Sequence, residues 1–410
     1  MVKVLRSWVR GPLEPYAAGF AESLLLQGYS RAGAGQHVCF IAHLDRWMSG
    51  EGIGLADLRS EAIGEYLAQR RAAGYRQYLS VKALRPLLDY LGPCEVLPAA
   101  EPEPPDVVEE LLGRYRDYLL GERGLSPGTV RGYVDWLRPF VRTRLNGEVV
   151  DFCALTAADI TQYVLTSCPS RAVGSAKLIV TSLRSLLGWL HLSGQVPTSL
   201  AGAVPSVAGW RLSGVPKGLE PDQLRRLLAA PDRRTGVGRR DYAILLLLSR
   251  LGLRAGEVAA LGLDDLDWRH GDVVVRGKGN RAERVPLPAD VGAAVSAYLR
   301  RGRPRAGSER AVFFRVRAPK RPLGSGGVTA VVDDNAARAG LGTVHAHRLR
   351  HTAATTMLRS GSPLAEVGQV LRHRSLLSTA IYAKVDRDAL SVLVRPWPVP
   401  VDNGVEGDPS

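Results

Sequence analysis

A proline-rich break near residue 100 constrains the fold of this chain more than any other feature. The stretch LPAAEPEPPD, residues 97–106, combines prolines with acidic residues. Such a segment cannot continue a helix and favours a stiff, extended linker. A second, less sharp break at residues 206–218 lies within VPSVAGWRLSGVPKGLE. The two breaks predict three folded segments, followed by a frayed tail; the segments span residues 1–96, 107–205 and 219–399, and the tail spans 400–410.

The first two segments resemble each other in sequence. LSVKALRPLLDYL, residues 79–91, aligns with LIVTSLRSLLGWL, residues 178–190. The leucines match at five pairs of positions: 79/178, 84/183, 87/186, 88/187 and 91/190. Apolar spacings of three and four predict amphipathic helices in both copies. We therefore expect two related, small all-helical domains that arose by duplication, with chance similarity between leucine-rich helices as the alternative.

The third segment has a mixed pattern. DYAILLLLSRLGLRAGEVAAL, residues 241–261, predicts two helices around a glycine turn, and DVVVRGKGNRAERVPLP, residues 272–288, predicts a β-hairpin. Two further helices are expected over residues 347–361 and 362–373, the second with Ser362 as its N-cap and Pro363 at its first position. The chain is thus predicted to be multidomain and mainly α, with an α+β domain that contains a small hairpin or sheet.

The charge balance favours a polyanionic partner. The formal net charge is +14 and the sequence pI is about 9.9, which points to nucleic acid before a membrane surface. Residues 300–321 carry nine basic residues and one acid, and we expect them to contact the DNA backbone.

The longest apolar run, residues 243–248, is far shorter than the roughly 20 residues of a membrane span. Without a secretory pattern at its start, the protein is expected in the cytoplasm.

Histidine and arginine cluster in HAHRLRH, residues 345–351. Two H-x-x-R frames overlap there, and either could direct both side chains to one phosphate, because residues three apart share a helix face. The buried stripe predicted at Leu349, Ala353 and Met357 favours the frame of His347 and Arg350, with His345 preceding the helix. A solvated basic helix is the alternative interpretation for such a pair alone.

Other candidate residues surround this pair in the sequence. Arg254 lies at a predicted helix start, and Glu257 lies in the first turn, where it could brace Arg254. Lys278 occupies the predicted hairpin tip, and His373 precedes Tyr382 by nine positions. Taken singly, a lysine in a turn is usually solvated and a tyrosine usually serves packing. Their combination is what favours a catalytic site.

Four stretches carry a resemblance to a known family: LGLRAGEVAAL, VRGKGNRAERVPL, HRLRHTAATTML and VLRHRSLLSTAIYAKVD. They resemble the tyrosine recombinases, also called the phage integrase family. YLLGERGLSPGTVRGYVDWLRPF is similar to the opening of that family's helical core-binding domain. The resemblance implies a catalytic domain at 219–399, a SAM-like core-binding domain at 107–205 and an additional arm-like helical DNA-binding domain at 1–96. The sequence departs from the family pattern at Arg348 and Arg372, which could add phosphate contacts.

The resemblance also implies the chemistry. It assigns catalysis to six residues: Arg254, Lys278, His347, Arg350, His373 and Tyr382. The tyrosine would attack a DNA phosphate and form a 3′-phosphotyrosyl intermediate, since a phenol with pKa near 10 serves as both nucleophile and leaving group. The arginines and His373 would stabilise the phosphorane, Lys278 would act as general acid, and His347 would act as general base. No metal, ATP or other cofactor is expected, because cationic side chains do the work of a metal.

The resemblance further implies the partners. We expect a site-specific DNA recombinase, of a transposon or another mobile element for example, that acts on two double-stranded sites with inverted-repeat arms. The apolar run at residues 390–394, with Trp397, predicts a segment that docks on a partner, and the resemblance implies a C-terminal tail exchanged between subunits of a homo-tetramer. A bacterial, nucleoid-associated location follows, with no membrane association. The alternatives are a type IB topoisomerase-like activity and a non-catalytic DNA-binding accessory protein.

Overall fold

The computed structural model describes residues 9–97, 106–208, 218–277, 282–304, 307–372, 379 and 382. Residues 1–98 and 214–410 form one compact unit, and residues 99–213 form the other. The described residues contain fifteen α-helices and five short strands. The prediction of a mainly α fold with a small sheet is therefore confirmed.

Four helices make up the first region of the chain. They are α1 (Glu14–Leu26), α2 (Arg31–Glu51), α3 (Ser60–Ala72) and α4 (Val81–Leu91). The side chain of Ser30 accepts a hydrogen bond from the Gly33 N–H and caps α2. The buried carboxylate of Asp45 accepts hydrogen bonds from the N–H groups of Arg10, Gly11 and Leu13, at 2.8 to 3.0 Å. These bonds satisfy backbone donors that would otherwise be left at the start of α1.

The second unit also contains four helices. They are α5 (Val107–Gly121), α6 (Pro127–Arg142), α7 (Ala157–Ser167) and α8 (Val173–Leu192). The unit is not wholly helical as predicted, because β1 (Leu145–Asn146) and β2 (Val149–Val150) form a short antiparallel hairpin. Gly147 occupies its two-residue turn with φ +60. Glycine at this position adopts the left-handed conformation that such turns require.

Three of the five leucine pairs that align in the two sequence copies are buried in both regions. Leu84, Leu87 and Leu91 lie on the inner face of α4, each no more than 1% exposed. Their counterparts in α8 are equally buried: Leu183, Leu186 and Leu190. The matching pattern therefore corresponds to the same face of a helix in each four-helix region.

The third region holds seven helices and a three-stranded sheet. The helices are α9 (Pro221–Ala229), α10 (Gly236–Arg250), α11 (Ala255–Ala259), α12 (Ala289–Arg301), α13 (Ser325–Arg338), α14 (Ala346–Arg359) and α15 (Leu364–Val370). The strands are β3 (Leu266–Asp267), β4 (Asp272–Arg276) and β5 (Ala282–Pro286), paired antiparallel in the order β3-β4-β5. The predicted hairpin is confirmed, and its tip at residues 278–281 lies outside the described residues.

The apolar run in α10 forms the centre of this region. Residues 243–248 are at most 1% exposed, and α10 packs against α12, α13 and α14. The run is continuous, without an amphipathic period, because neighbouring elements cover the helix on several sides. In the part of the chain that the structure describes, no helix is long and apolar enough to cross a membrane.

Helix boundaries around the predicted site agree with the sequence to within one or two residues. His345 is the N-cap of α14, as predicted. The next helix, α15, begins at Leu364 with Pro363 as its N-cap, so the predictions of Ser362 as N-cap and of Pro363 as the first helical residue are wrong by one position. Its ψ of 144° is extended, which places Pro363 before the first helical turn rather than in it.

The first and third regions contact each other through the loop before α13. The Lys320 N–H donates to the carbonyl of Gln27 at 2.9 Å. Gly28 has φ +85, and a Cβ there would lie 2.7 Å from Cδ of Lys320. A glycine is needed at this point both for its backbone conformation and for the close approach of the lysine.

Part of the basic stretch at residues 300–321 is engaged inside the protein. Arg303 donates to the carbonyl of Ala311 and lies 4.9 Å from the ring centroid of Phe314. Arg310 pairs with Asp264. Lys320 makes the contact with the first region. The side chains of Arg303 and Arg310 therefore have protein partners, whereas Lys320 uses its backbone N–H and keeps an exposed side chain. Contact of the stretch with a nucleic acid stays a prediction.

Candidate active site

Arg254 lies where the sequence predicted it, at the start of a helix. It is the N-cap of α11, and its backbone N–H donates to Oε2 of Glu257 at 2.8 Å. Its guanidinium donates to Oε1 of the same carboxylate at 2.6 Å. The Arg254 side chain remains 45% exposed, whereas the Glu257 side chain is 5% exposed. The bracing of Arg254 by Glu257 is thus confirmed, and the exposed guanidinium can accept an anion from solvent.

Glu257 is shared with a second arginine. A guanidinium nitrogen of Arg372 lies 2.8 Å from Oε2 of Glu257, and both side chains are 5% exposed. Burial alone would raise the pKa of Glu257, but the Arg254 N–H and the Arg372 guanidinium outweigh it, so the pKa is lowered. The carboxylate therefore stays charged. Arg372 is used inside the protein and not as the extra phosphate contact that the sequence suggested.

Arg372 also has an unusual backbone. Its φ is +56, in the left-handed region that favours glycine. Glycine would adopt this conformation without strain, since it has no Cβ. Here an arginine adopts the same conformation and places its guanidinium against Glu257.

Arg350 is a buried arginine of the candidate site. The residue is 1% exposed, and it donates to the carbonyl of Gly252 at 2.5 Å and to the carbonyl of Leu371. Gly252 has φ +58, and a Cβ there would lie 2.5 Å from the side chain of Leu371. Burial, together with the Arg254 guanidinium, lowers the pKa of Arg350 to about 10. Arg350 is therefore charged at neutral pH, and a guanidinium with five donors keeps several for an anion.

Tyr382 is packed into a small apolar cluster. Its side chain is 1% exposed and packs with Ala354, Val367 and Leu371. Three residues earlier, buried Thr379 lies so close to α15 that a Cβ on Gly368 would be 2.8 Å from its Oγ1. Burial raises the pKa of the Tyr382 phenol, and the guanidinium groups of Arg350 and Arg254 oppose that rise. The phenol is therefore held protonated next to two cations.

Two histidines on α14 lie beside the tyrosine. Oη of Tyr382 is 2.7 Å from Nδ1 of His351. The rings of His347 and His351 meet edge to face with centroids 4.4 Å apart. His347 is exposed and His351 is half-buried. Partial desolvation by the surrounding protein lowers the pKa of both imidazoles, assisted by Arg350 in each case, and the pKa of His351 falls to about 4.

Four of the six predicted site residues come together. Arg254, His347, Arg350 and Tyr382 are close enough for the charges of the arginines to shift the pKa values of the other groups. Lys278 and His373 lie outside the described residues.

Sequence reasoning missed a role for His351, although its position one turn after His347 places both on one side of α14. No cluster of three or more His, Cys, Asp or Glu side chains able to hold a metal was found among the described residues.

Comparison with known proteins defines the class. Residues 217–388 match the phage integrase family, and residues 112–194 match the phage integrase N-terminal SAM-like domain. An integrase/recombinase of Sinorhizobium fredii, provisionally named y4rA, is 41% identical over 397 residues, which cover 95% of each chain. The chain belongs to the phage integrase family, whose members are the tyrosine recombinases.

More distant relatives agree with this assignment. The tyrosine recombinase XerC of Oceanobacillus iheyensis is 30% identical over 291 residues, which cover 69% of this chain and 94% of its own. The fold is similar to that of XerH recombinase in a post-cleavage complex with its difH substrate, with a TM-score of 0.55, 16% identity and coverage of 70% and 96%. It is also similar to a lambda integrase dimer bound to a core site, with a TM-score of 0.53, 18% identity and coverage of 72% and 99%. The chain is therefore a site-specific recombinase.

Proposed function

We propose that this recombinase cuts and rejoins DNA strands through a 3′-phosphotyrosyl bond to Tyr382, without metal or ATP. The observation that carries the proposal is the placement of one buried phenol within hydrogen-bonding distance of an imidazole and beside two arginines. Attack on a phosphodiester builds negative charge on the non-bridging oxygens. Arg254 and Arg350 supply positive charge at that point, and Glu257 holds the first of them.

The remaining roles follow from the family resemblance. Lys278 would protonate the 5′ oxygen that leaves, and His373 would donate a further hydrogen bond to the phosphate. The resemblance gives the removal of the tyrosine proton to His347. Storing the phosphodiester energy in the covalent bond makes the cut reversible, which explains why ATP is not required. The positive charges of Arg254 and Arg350 would do the work that a metal does in other enzymes.

The partners follow from the same proposal. The substrates are two double-stranded sites with inverted-repeat arms, bound by a homo-tetramer that exchanges its C-terminal tails. Proteins of similar fold that are described as bound to DNA, including a lambda integrase tetramer on a Holliday junction, support a DNA partner and a tetramer. We further propose the core-binding role for residues 107–205, the catalytic role for 219–399 and an arm-like DNA-binding role for 1–96. The enzyme then works in the bacterial cytoplasm at the nucleoid.

A two-step experiment tests the proposal. Genomic DNA fragments that bind the Tyr382→Phe variant are selected first, because this variant should bind but not cut. A plasmid with two copies of the selected site is then incubated with the wild-type protein and with the variant. Recombinant products from the wild type alone are expected. Supercoil relaxation of plasmids that lack the site would favour a topoisomerase, and binding without any strand exchange would favour an accessory protein.

A further inference from the structure

His351 occupies a position that the proposed function leaves without a role. Its Nδ1 is 2.7 Å from Oη of Tyr382, which is the length of a good hydrogen bond to a hydroxyl. Its ring lies between the tyrosine and His347, with centroid distances of 5.4 Å to the first and 4.4 Å to the second. A general base has to be within hydrogen-bonding reach of the proton that it takes. His351 meets this requirement before DNA has bound.

The protonation state of His351 suits an acceptor. Burial, with His347 and Arg350 nearby, lowers its pKa to about 4, so the imidazole is neutral at pH 7. In the tautomer with the proton on Nε2, the lone pair of Nδ1 faces the phenol, and Tyr382 donates the hydrogen bond. The phenol is protonated as well, because burial raises its pKa. Donor and acceptor are therefore both in the form that proton transfer requires.

The surrounding charges explain why transfer waits for the substrate. Without DNA, a proton on His351 would add a positive charge beside Arg350, which together with Arg254 already acts on Tyr382. A phosphate bound by these arginines brings a negative charge that offsets them, and the phosphorane brings a second. Each negative charge stabilises an imidazolium at His351. Binding of the scissile phosphate thus turns a weak base into an adequate one.

We propose that His351, rather than His347, is the catalytic residue that takes the proton from Tyr382. The O–H bond of the phenol breaks, and its proton moves to Nδ1 of His351. The phenol oxygen then forms the bond to phosphorus as the bond from phosphorus to the 5′ oxygen breaks, and that oxygen takes a proton from Lys278. In rejoining, every step reverses and His351 returns the proton to Tyr382. His347, exposed above it, remains available to the phosphate.

This inference rests on the proposed function, and its test compares two matched substitutions. Asparagine places its side-chain oxygen near the position of Nδ1, so His351→Asn keeps a hydrogen-bond acceptor for Tyr382 but cannot hold the proton. His347→Asn is the control at the neighbouring ring. Single-turnover cleavage of a nicked substrate, which traps the covalent intermediate, gives the rate of each variant, and a gel shift gives its DNA affinity. The selected DNA site is used throughout.

The expected result is a loss of about 100-fold or more in the cleavage rate of His351→Asn, the usual contribution of a general base, with DNA affinity unchanged. Replacing Tyr382 by a fluorinated tyrosine, whose phenol ionises more readily, should restore much of that rate, because a more acidic phenol needs less help from a base. A purely structural defect would not be restored in this way. The rescue therefore separates proton transfer from positioning.

Three outcomes would overturn the inference and leave the recombinase assignment intact. One is a cleavage rate for His351→Asn within a few-fold of the wild type. A second is a slow His351→Asn variant with normal DNA affinity that the fluorinated tyrosine does not restore. The third is a large, rescued loss in His347→Asn alone, which would return the role of base to His347. Failure of the wild-type protein to form any covalent intermediate would instead refute the proposed function.

Discussion

Replacing Arg372 by glycine sets two effects of opposite sign against each other. Glycine adopts φ +56 freely, and relief of a left-handed non-glycine residue is worth about 1 kcal/mol. The same substitution removes a buried partner of Glu257, and breaking a buried pair costs about 3 to 5 kcal/mol. Because Glu257 keeps its two bonds from Arg254, the lower figure of about 3 kcal/mol applies. The net expectation is a destabilisation of about 2 kcal/mol.

Hydrogen exchange in the full chain measures this effect locally, since the protein has several regions that need not unfold together. A loss of about 2 kcal/mol corresponds to about 30-fold faster exchange through local opening. The faster exchange should be confined to peptides that cover α11 and α15. In a Glu257→Gln background the ion pair is absent, so Arg372→Gly should be neutral or stabilising.

Glu95 provides the matched control, since it also has a left-handed backbone, with φ +54, but is exposed. Glu95→Gly should give only the backbone relief and slow the exchange of its neighbourhood. If Arg372→Gly also slowed exchange around α11 and α15, backbone strain would exceed the contribution of the ion pair. That result would refute the claim that the ion pair with Glu257 contributes more free energy than the left-handed backbone of Arg372 costs.

Three further predictions concern DNA and regions outside the described residues. DNA binding should weaken steeply with salt: if roughly ten phosphates are contacted, a plot of the logarithm of the binding constant against that of the salt concentration should have a slope of about −9. A slope of about −2 in filter binding would show that the net charge of +14 is not used on DNA. Lys278→Ala should slow cleavage much more than binding, and a substrate with sulfur as the 5′ leaving atom should restore the cleavage rate, whereas no restoration would remove the general-acid role. Truncation after Lys384 should leave binding to one site intact but abolish the two-site complex in gel shifts, and full synapsis by the truncated chain would refute tail exchange.

The sequence predicted those features that depend on local pattern. Arg254 and Glu257 are three residues apart at a helix start, so their bond follows from helix geometry alone. The position of His345 before α14 follows from the apolar spacing of the helix, and the β4–β5 hairpin follows from turn residues. Family membership followed from motifs in their order along the chain. None of these predictions needs knowledge of distant contacts.

Features that depend on tertiary packing could not be predicted. Arg350 was expected to flank a buried stripe, but it is buried itself because Gly252 and Leu371, distant in sequence, supply carbonyl acceptors. Arg372 looked like a surface cation because nothing in its neighbourhood reveals Glu257, 115 positions away. The contact between His351 and Tyr382 spans 31 positions. In each case the contact forms only because elements that are distant in the sequence pack against each other.

The most direct test of the account is the identity of the covalent bond to DNA. Wild-type protein and Tyr382→Phe are incubated with a nicked copy of the selected site, from which the cut end diffuses away. The substitution removes one oxygen and leaves the ring to pack as before, so both proteins should bind the DNA equally. The wild type should form an adduct that survives SDS and maps to Tyr382 after proteolysis, and the variant should form none. An adduct at another residue, or cleavage by the variant, would contradict the account.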